Sequence, residues 1–238
     1  MTIYDRAHSA IQESTPSDFD WDVIFKGADW FHFTGITPAL GPNMVDACRD
    51  ACKAAKAHGV RISCDLNYRG KLWSRQQARE AMTDLCQYVD VCISNEEDAK
   101  DVFGIEAEAT DIYVGEINRE GYKSVARQLA DRFGFEKVAI TLRESRSASD
   151  NGWSAMLFDA VGDEYHFSKK YDLHIVDRVG GGDSFGGGLI LPWRPPRSSI
   201  PSRAIITWLQ RPRWKSWPTA MVPAASSAEL IFKYSLNL

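Results

Sequence analysis

A chain of 238 residues, 44% hydrophobic and 25% charged, has the apolar content to bury one sizeable α/β core, which sets it apart from disordered and fibrous chains. No run of 18 apolar residues occurs, and the opening "MTIYDRAHSAIQ" lacks the basic-then-apolar order of an export signal, so neither a membrane span nor secretion is indicated and a cytoplasmic home is expected. The formal net charge of −4 is unevenly spread: residues 191–238 hold seven of the 28 Lys/Arg and one of the 32 Asp/Glu, which makes that segment +6 and residues 1–190 −10.

In chain order, "DWFHFTG" (29–35) is strand-like. "PNMVDACRDACKAAKAHG" (42–59) keeps Met44, Val45, Cys48, Cys52 and Ala55 at helical spacing and stops at Gly59. Strand "VRISCDLN" (60–67) follows, then a serine-capped helix "SRQQAREAMTDLCQYV" (74–89), strand "VDVCIS" (89–94), a helix over 95–103, a helix over 118–133 and the β-rich "EKVAITL" (136–142). This β–α alternation predicts an α/β fold, a mostly parallel sheet with helices on both faces. After Leu142, "SASDNG" (147–152) reads as a turn, with "WSAMLFD" (153–159) and "DEYHFSK" (163–169) as an antiparallel ribbon and "LHIVD" (173–177) as a last strand. The five cysteines contain no CxxC pair, which argues against a disulfide framework and a zinc knuckle; Cys48 and Cys52, one helical turn apart, read as small apolar residues on one face.

The segment "RVGGGDSFGGGLI" (178–190) carries the chemistry. Gly180, Gly181 and Gly182 ahead of a helix let consecutive amides point at one small volume, where the helix dipole adds positive potential. An anion hole results, and Asp183 in the first turn is placed to take a proton from a hydroxyl while the amides hold a phosphoryl group. GxxxxGK[ST] is absent, and GxGxxG fails because Phe185 stands at its last position with no acid about 20 residues on to hold a ribose. A glycine-rich turn with no ligand is the bland alternative.

"VDRVGGGDSFGGGLI" (176–190) resembles the C-terminal signature of the ribokinase-like (PfkB) carbohydrate kinases, D-T-x-G-A-G-D-x-F, with Arg178 in place of the threonine. The resemblance implies that Asp183 is the general base and that Gly180, Gly181 and Gly182 form the oxyanion hole, with ATP and Mg2+ as cofactors. "SNEEDA" (94–99) resembles the family's N-x-x-E element, which organises magnesium and its waters about the ATP phosphates; Asn95 and Asp98 occupy its ends, the acid one methylene shorter than usual. Taken alone, "NEED" reads as a helix cap with a solvated acidic face. "AITLRES" (139–145) stands where the family contacts nucleotide, which makes Thr141 and Arg143 candidates, with a surface role as the alternative.

"CDLNYRGKLW" (64–73) resembles the D-x-N-x-R-x-x-L-W segment of 2-keto-3-deoxygluconate kinases (2-dehydro-3-deoxygluconokinases), and "IYDRAHSAI" (3–11) their Y-x-R-x-x-S-A segment. A sugar acid carries a carboxylate that guanidinium forks bind well, so the resemblance implies Arg6, Arg69 and Tyr4 as substrate residues, with Asp65 or Asn67 on substrate hydroxyls or nearby nucleotide groups. "FHFTGITPAL" (31–40) resembles the same subfamily and adds Thr34 and Gly35 at a strand end. The reaction implied is phosphoryl transfer from ATP to the 6-hydroxyl of 2-keto-3-deoxygluconate, with fructokinase- or ribokinase-type activity on neutral sugars and a non-catalytic kinase fragment or binding protein as the rivals.

The resemblance spans residues 1–190 and starts in mid-fold: the first strands and the β-sheet lid that commonly forms the homo-oligomer contact are expected before Tyr4, and helices that complete the adenine pocket after Ile190. Residues 191–238 hold seven of the ten prolines and four of the eight tryptophans, with no sustained helical or strand period and no nucleic-acid module. They are expected to stand apart from the kinase-like domain, as the product of a frame shift near Leu191; resequencing the gene past codon 190 checks this.

Overall fold

A computed structural model of the protein describes residues 8–106, 119–147, 149–176, 180–190 and 203–206. Two short helices, α1 (Ala10–Glu13) and α2 (Trp21–Phe25), lead into β1 (Ala28–Thr34), α3 (Pro42–Ala57), β2 (Arg61–Asp65), α4 (Arg75–Leu85) and β3 (Val91–Asn95). Then come α5 (Glu96–Asp98), which runs on as a π-helical turn (Ala99–Phe103), α6 (Arg119–Phe133), β4 (Lys137–Ser145), β5 (Asp150–Asp159), β6 (Glu164–Phe167), β7 (Tyr171–His174), α7 (Gly181–Ile190) and β8 (Arg203–Ile206).

One sheet runs in the order β6-β5-β4-β3-β2-β1-β8, with β7 also on β5. Strands β8, β1, β2, β3 and β4 are parallel; β5 turns back antiparallel to β4, and β6 and β7 share its far edge. This is the expected mixed, mostly parallel α/β sheet. The parallel strands are joined by helices because their ends lie on opposite sides of the sheet, a span no tight turn can bridge.

Side chains alternate strictly between two faces. Phe31, Phe33, Ile62, Cys64, Cys92, Val138, Ile140, Met156 and Phe158 enter one core with the inner sides of α3, α4 and α6. Trp30, Val91, Ile93 and Ala139 pack on the other face against Leu189 and Ile190 of α7. Helix α4 starts where Ser74 Oγ accepts from Gln77 N at 3.2 Å and Gln77 Oε1 accepts from Ser74 N at 2.9 Å, a reciprocal cap. All five cysteines are buried and reduced.

Three elements differ from the sequence reading. The helix expected over 95–103 winds α-helical for one turn and then widens to a π turn closed by Gly104, whose φ of 69° is left-handed. Asn151 and Gly152, read as turn residues, belong to β5, which pairs with β4 as far as Asn151–Ser145. A Cβ on Gly152 would lie 2.9 Å from Lys170 Cε and 3.0 Å from Glu144 Oε2, so the glycine serves a cross-strand ion pair, and a polar composition disguised it as a loop. The strand expected over 173–177 runs over Tyr171–His174 instead. Of residues 191–238, only Arg203–Ile206 are described, as the parallel neighbour of β1; the rest of that segment, and Asp177, Arg178 and Val179, lie outside the described residues. Among the described residues, no helix is long and apolar enough to cross a membrane.

Candidate active site

The carboxyl ends of β1, β2, β3 and β4 lie side by side, and alternation puts Thr34, Asp65, Asn95 and Thr141 on the face that α7 covers. Register aligns Thr34 with Asp65 and Asn95 with Thr141. These four residues come from sequence positions more than 100 apart, and ligands of open α/β sheets bind at such strand ends.

Helix α7 crosses this face with its N-terminus at the strand ends. Gly180 holds φ at 80°, a left-handed value that favours glycine, and delivers the chain into the helix. The first α-helical bond runs from Ser184 N to Gly180 O at 2.9 Å, so the amides of Gly181, Gly182 and Asp183 precede it. Gly181 and Gly182 therefore form the first turn itself, where the sequence suggested a loop. A Cβ on Gly182 would lie 3.9 Å from Asp65 Oδ2, and one on Gly186 3.5 Å from Ile93 Cδ1, so the helix start stands over β2 and its middle over β3. Asp183, in that turn, is exposed.

The loop after β2 is tied down from both sides. Asn67 takes a left-handed φ of 39°, tolerated by asparagine, and its Nδ2 donates to Thr34 Oγ1 at 2.7 Å. Gly35 N donates to Asp65 O at 2.8 Å, and a Cβ on Gly35 would fall 2.1 Å from Leu66 O, which only glycine avoids. On the other side, Tyr68 N donates to Asp98 Oδ1 at 3.2 Å. Asn95 caps α5, its Oδ1 accepting from Asp98 N at 2.7 Å while its Nδ2 donates to Asp98 Oδ2 at 3.0 Å. Asn95 is thus a helix cap, but Asp98 is 7% exposed rather than on a solvated face.

The electrostatics join these groups into one site. Loss of water, and then the nearby charges of Asp98 and Asp183, push Asp65 up to about 7, against the pull of the Asn67 amide and Arg69. Burial raises Asp98 to about 6, opposed by the Tyr68 amide and Arg69. Asp183, though exposed, stands where the strand ends and the helix start remove part of its water, which lifts it above the usual carboxylate range, and Arg69 pulls it back. Arg69 is exposed, and its Nη1 donates to Tyr68 O at 3.2 Å. One guanidinium therefore acts on all three carboxylates.

A divalent cation fits this surplus of acid. Among the described residues, no three His, Cys, Asp or Glu side chains converge as a direct ligand set; Asn95 and Asp98 are the residues that could hold a hydrated ion through its waters. Arg143 lies two residues beyond Thr141 on β4, about 7 Å further along the strand, exposed, with its Nε donating to Asn151 Oδ1 at 3.1 Å. Tyr4 and Arg6 lie outside the described residues. Sequence reading missed Asn151, and also the pair Ser63 and His32 on the same face: Ser63 Oγ accepts from Trp30 Nε1 at 2.8 Å and lies 2.8 Å from His32 Nδ1. The one signal for Ser63 was a polar residue inside an otherwise apolar strand.

Comparison with known proteins agrees with the geometry. The model of the pfkB family of carbohydrate kinases matches residues 2–193. A 2-dehydro-3-deoxygalactonokinase of Haloferax volcanii is 30% identical over 188 residues, 79% of this chain and 52% of its own length. A 2-dehydro-3-deoxygluconokinase of Bacillus subtilis is 29% identical over 191 residues, 79% and 50% respectively. The crystal structure of 2-dehydro-3-deoxygluconokinase from Thermotoga maritima superimposes with a TM-score of 0.72 at 50% identity, covering 79% of this chain and 55% of that one. An E. coli chain solved with ATP and Mg2+ shares the fold, with a TM-score of 0.55 at 23% identity over 74% of this chain and 48% of its own. The chain thus spans about half the length of the curated relatives it matches. With its matched region reaching from the first residues through α7, the chain belongs to the pfkB family of carbohydrate kinases.

Proposed function

We propose that this chain carries the phosphoryl-transfer centre of a sugar-acid kinase that acts on the 6-hydroxyl of 2-keto-3-deoxygluconate with ATP as donor. The observation that carries the reading is the meeting of the α7 N-terminus, Asp183 and Arg69 over Asp65 at the strand ends. Asp183 accepts the hydroxyl proton as the sugar oxygen bonds to the γ-phosphorus and the bond to the ADP oxygen breaks. The amides of Gly181 and Gly182, with Gly180 leading in, receive the equatorial phosphoryl oxygens. Asn95 and Asp98 would hold Mg2+ through its waters, and the ion would supply neutralisation of phosphate charge. Arg69 meets the substrate carboxylate, joined by Tyr4 and Arg6, and Thr34, Gly35, Asp65 and Asn67 shape the floor on which the sugar hydroxyls rest. Thr141 and Arg143 face the nucleotide.

The test is ADP release coupled to oxidation of a reporter, with 2-keto-3-deoxygluconate, its galactonate epimer, fructose and ribose offered in turn, beside calorimetric binding of each. Turnover of a sugar acid in preference to the neutral sugars is expected. Preference for fructose or ribose moves the substrate to the neutral class; acid and ATP binding without turnover makes the chain a binding protein. No binding of either ends the proposal.

A further inference from the structure

The far end of β4 carries two arginines whose surroundings differ. Arg146 shares a face with Glu144, Lys170 and Asp172 and is satisfied there, 2.8 Å from Asp172 and 3.8 Å from Glu144, while Lys170 pairs with Glu144 at 2.5 Å. Arg143 projects to the opposite face, the one shared with Thr141 and α7. There its Nε donates to the neutral oxygen of Asn151, and among the described residues no carboxylate pairs with it. At this end of the hairpin Glu144 and Asp172 lie on the side of Arg146, while Asp159, on the side of Arg143, stands at the opposite end of the strands and pairs with Lys137; among the described residues Arg143 has no carboxylate partner.

Asn151 is an unusual partner. It is 1% exposed, in the middle of a three-strand stretch where it aligns with Ser145 of β4 and Leu173 of β7. Its Oδ1 serves Arg143, while its Nδ2 is buried with no acceptor. A buried amide hydrogen without an acceptor is unfavourable, and an apolar residue of the same shape would avoid it. Turning the amide over would bring two donors, Nδ2 and the arginine Nε, face to face, so the orientation is set by the guanidinium. With Nε clamped, the planar group offers Nη1 and Nη2 as a two-donor fork, a geometry suited to phosphate oxygens and held at little further loss of side-chain freedom. The fork stands one strand over from Asn95, about 7 Å past Thr141.

We propose that Asn151 is a positioning residue for nucleotide binding: it clamps Arg143 so that the guanidinium fork meets the polyphosphate of ATP. This rests on the kinase reading above, which places nucleotide at the end of β4. The experiment is a double-mutant cycle read by titration calorimetry with Mg-ATP and, as a ligand lacking phosphates, adenosine, on wild type, Arg143→Ala, Asn151→Leu and the double variant. Arg143→Ala is expected to weaken ATP about tenfold and leave adenosine unchanged. Asn151→Leu is expected to weaken ATP about threefold to tenfold, again sparing adenosine, and the double variant to bind ATP no more weakly than Arg143→Ala alone. Wild-type affinity for ATP in Asn151→Leu overturns the proposal, as do losses that multiply in the double variant or fall equally on adenosine, for then Asn151 serves only the hairpin. Should Asn151→Leu not fold, Arg143→Lys asks the same question: it keeps the charge but removes Nε, and undiminished ATP binding overturns the proposal. Failure of wild type to bind ATP removes the nucleotide reading and this inference together, whereas ATP binding that is indifferent to position 151 removes this inference alone.

Discussion

The two faces of the central sheet are made by alternate residues of the same strands and have opposite chemistry. Under α3, α4 and α6, Phe31, Phe33, Ile62, Cys64, Cys92 and Ile140 form an apolar core. Burial there pushes Cys48 up to about 12 and raises Cys52, Cys64 and Cys92 well above the usual thiol range, so these thiols behave as hydrocarbon. Under α7, the same strands present His32, Ser63, Asp65, Asn95 and Thr141, with His32 held neutral, its pKa lowered to about 4 by burial. One face is optimised for packing. The other keeps ionisable groups partly out of water, which lowers stability and is the arrangement that function requires.

The largest expected effect lies on the α7 face. Asp183→Asn should lower turnover about 10²- to 10⁴-fold while leaving substrate binding and thermal unfolding close to wild type. Steady-state kinetics beside calorimetry decide it, and near-normal turnover would remove Asp183 from the chemistry.

On the opposite face the loss should be one of stability. Phe33, 1% exposed, stacks on Phe31 at 5.7 Å between ring centroids, and Phe33→Ala is expected to cost about 3–5 kcal/mol in urea unfolding. A loss under 1 kcal/mol would show that this face is not the tightly packed one.

Asp65 gives the comparison a pH signature. Its carboxyl, raised to about 7 in the folded state, keeps a proton that the unfolded chain has released above about pH 4, so stability must fall as pH rises from about 4 to about 7 and level off beyond. His32 contributes the reverse sign between about 4 and 6.5, because its folded state refuses a proton that the unfolded chain accepts. Comparing wild type with Asp65→Asn isolates the carboxylate: the variant should gain on wild type by a few kcal/mol between pH 4 and 8. Parallel stability curves for the two proteins would show that Asp65 is not held protonated.

The smallest effect should come from Gly186→Ala on α7. The added methyl would meet Ile93 Cδ1 at 3.5 Å, ordinary contact, and alanine is the better helix former, so a gain of about 0.5–1 kcal/mol in thermal unfolding is expected. Gly35, by contrast, admits no Cβ because Leu66 O would stand 2.1 Å away. A destabilised Gly186→Ala would mean that α7 is packed as closely as the far face.

Much of the site was legible because its parts are local in the chain. The glycines before Asp183, the Asn95–Asp98 turn and the Asp65–Arg69 loop are each contained in fewer than ten residues, and their residue types announce anion hole, cap and guanidinium. The helices and parallel strands followed from hydrophobic period and caps, which are also local. Asn151 was read as a turn because Asp, Asn and Gly in succession are turn residues, and only pairing with β4 makes them a strand. The Ser63 contacts depend on register between β1 and β2, information that no single segment contains.

By itself, then, the sequence determined most of the helices and the parallel strands, which motif carries the acid beside the glycines, and that the sheet is mainly parallel, but not the start of β5, the bounds of β7 or the π turn after α5. Tertiary structure alone decided that α7 lies across β2 and β3 on one face, that Asp65, Asp98 and Asp183 share the field of Arg69, and that Arg143 rests on Asn151. The reason is physical: periodicity and capping act over a few residues, whereas desolvation and charge coupling depend on distances through space, which strand order and register set.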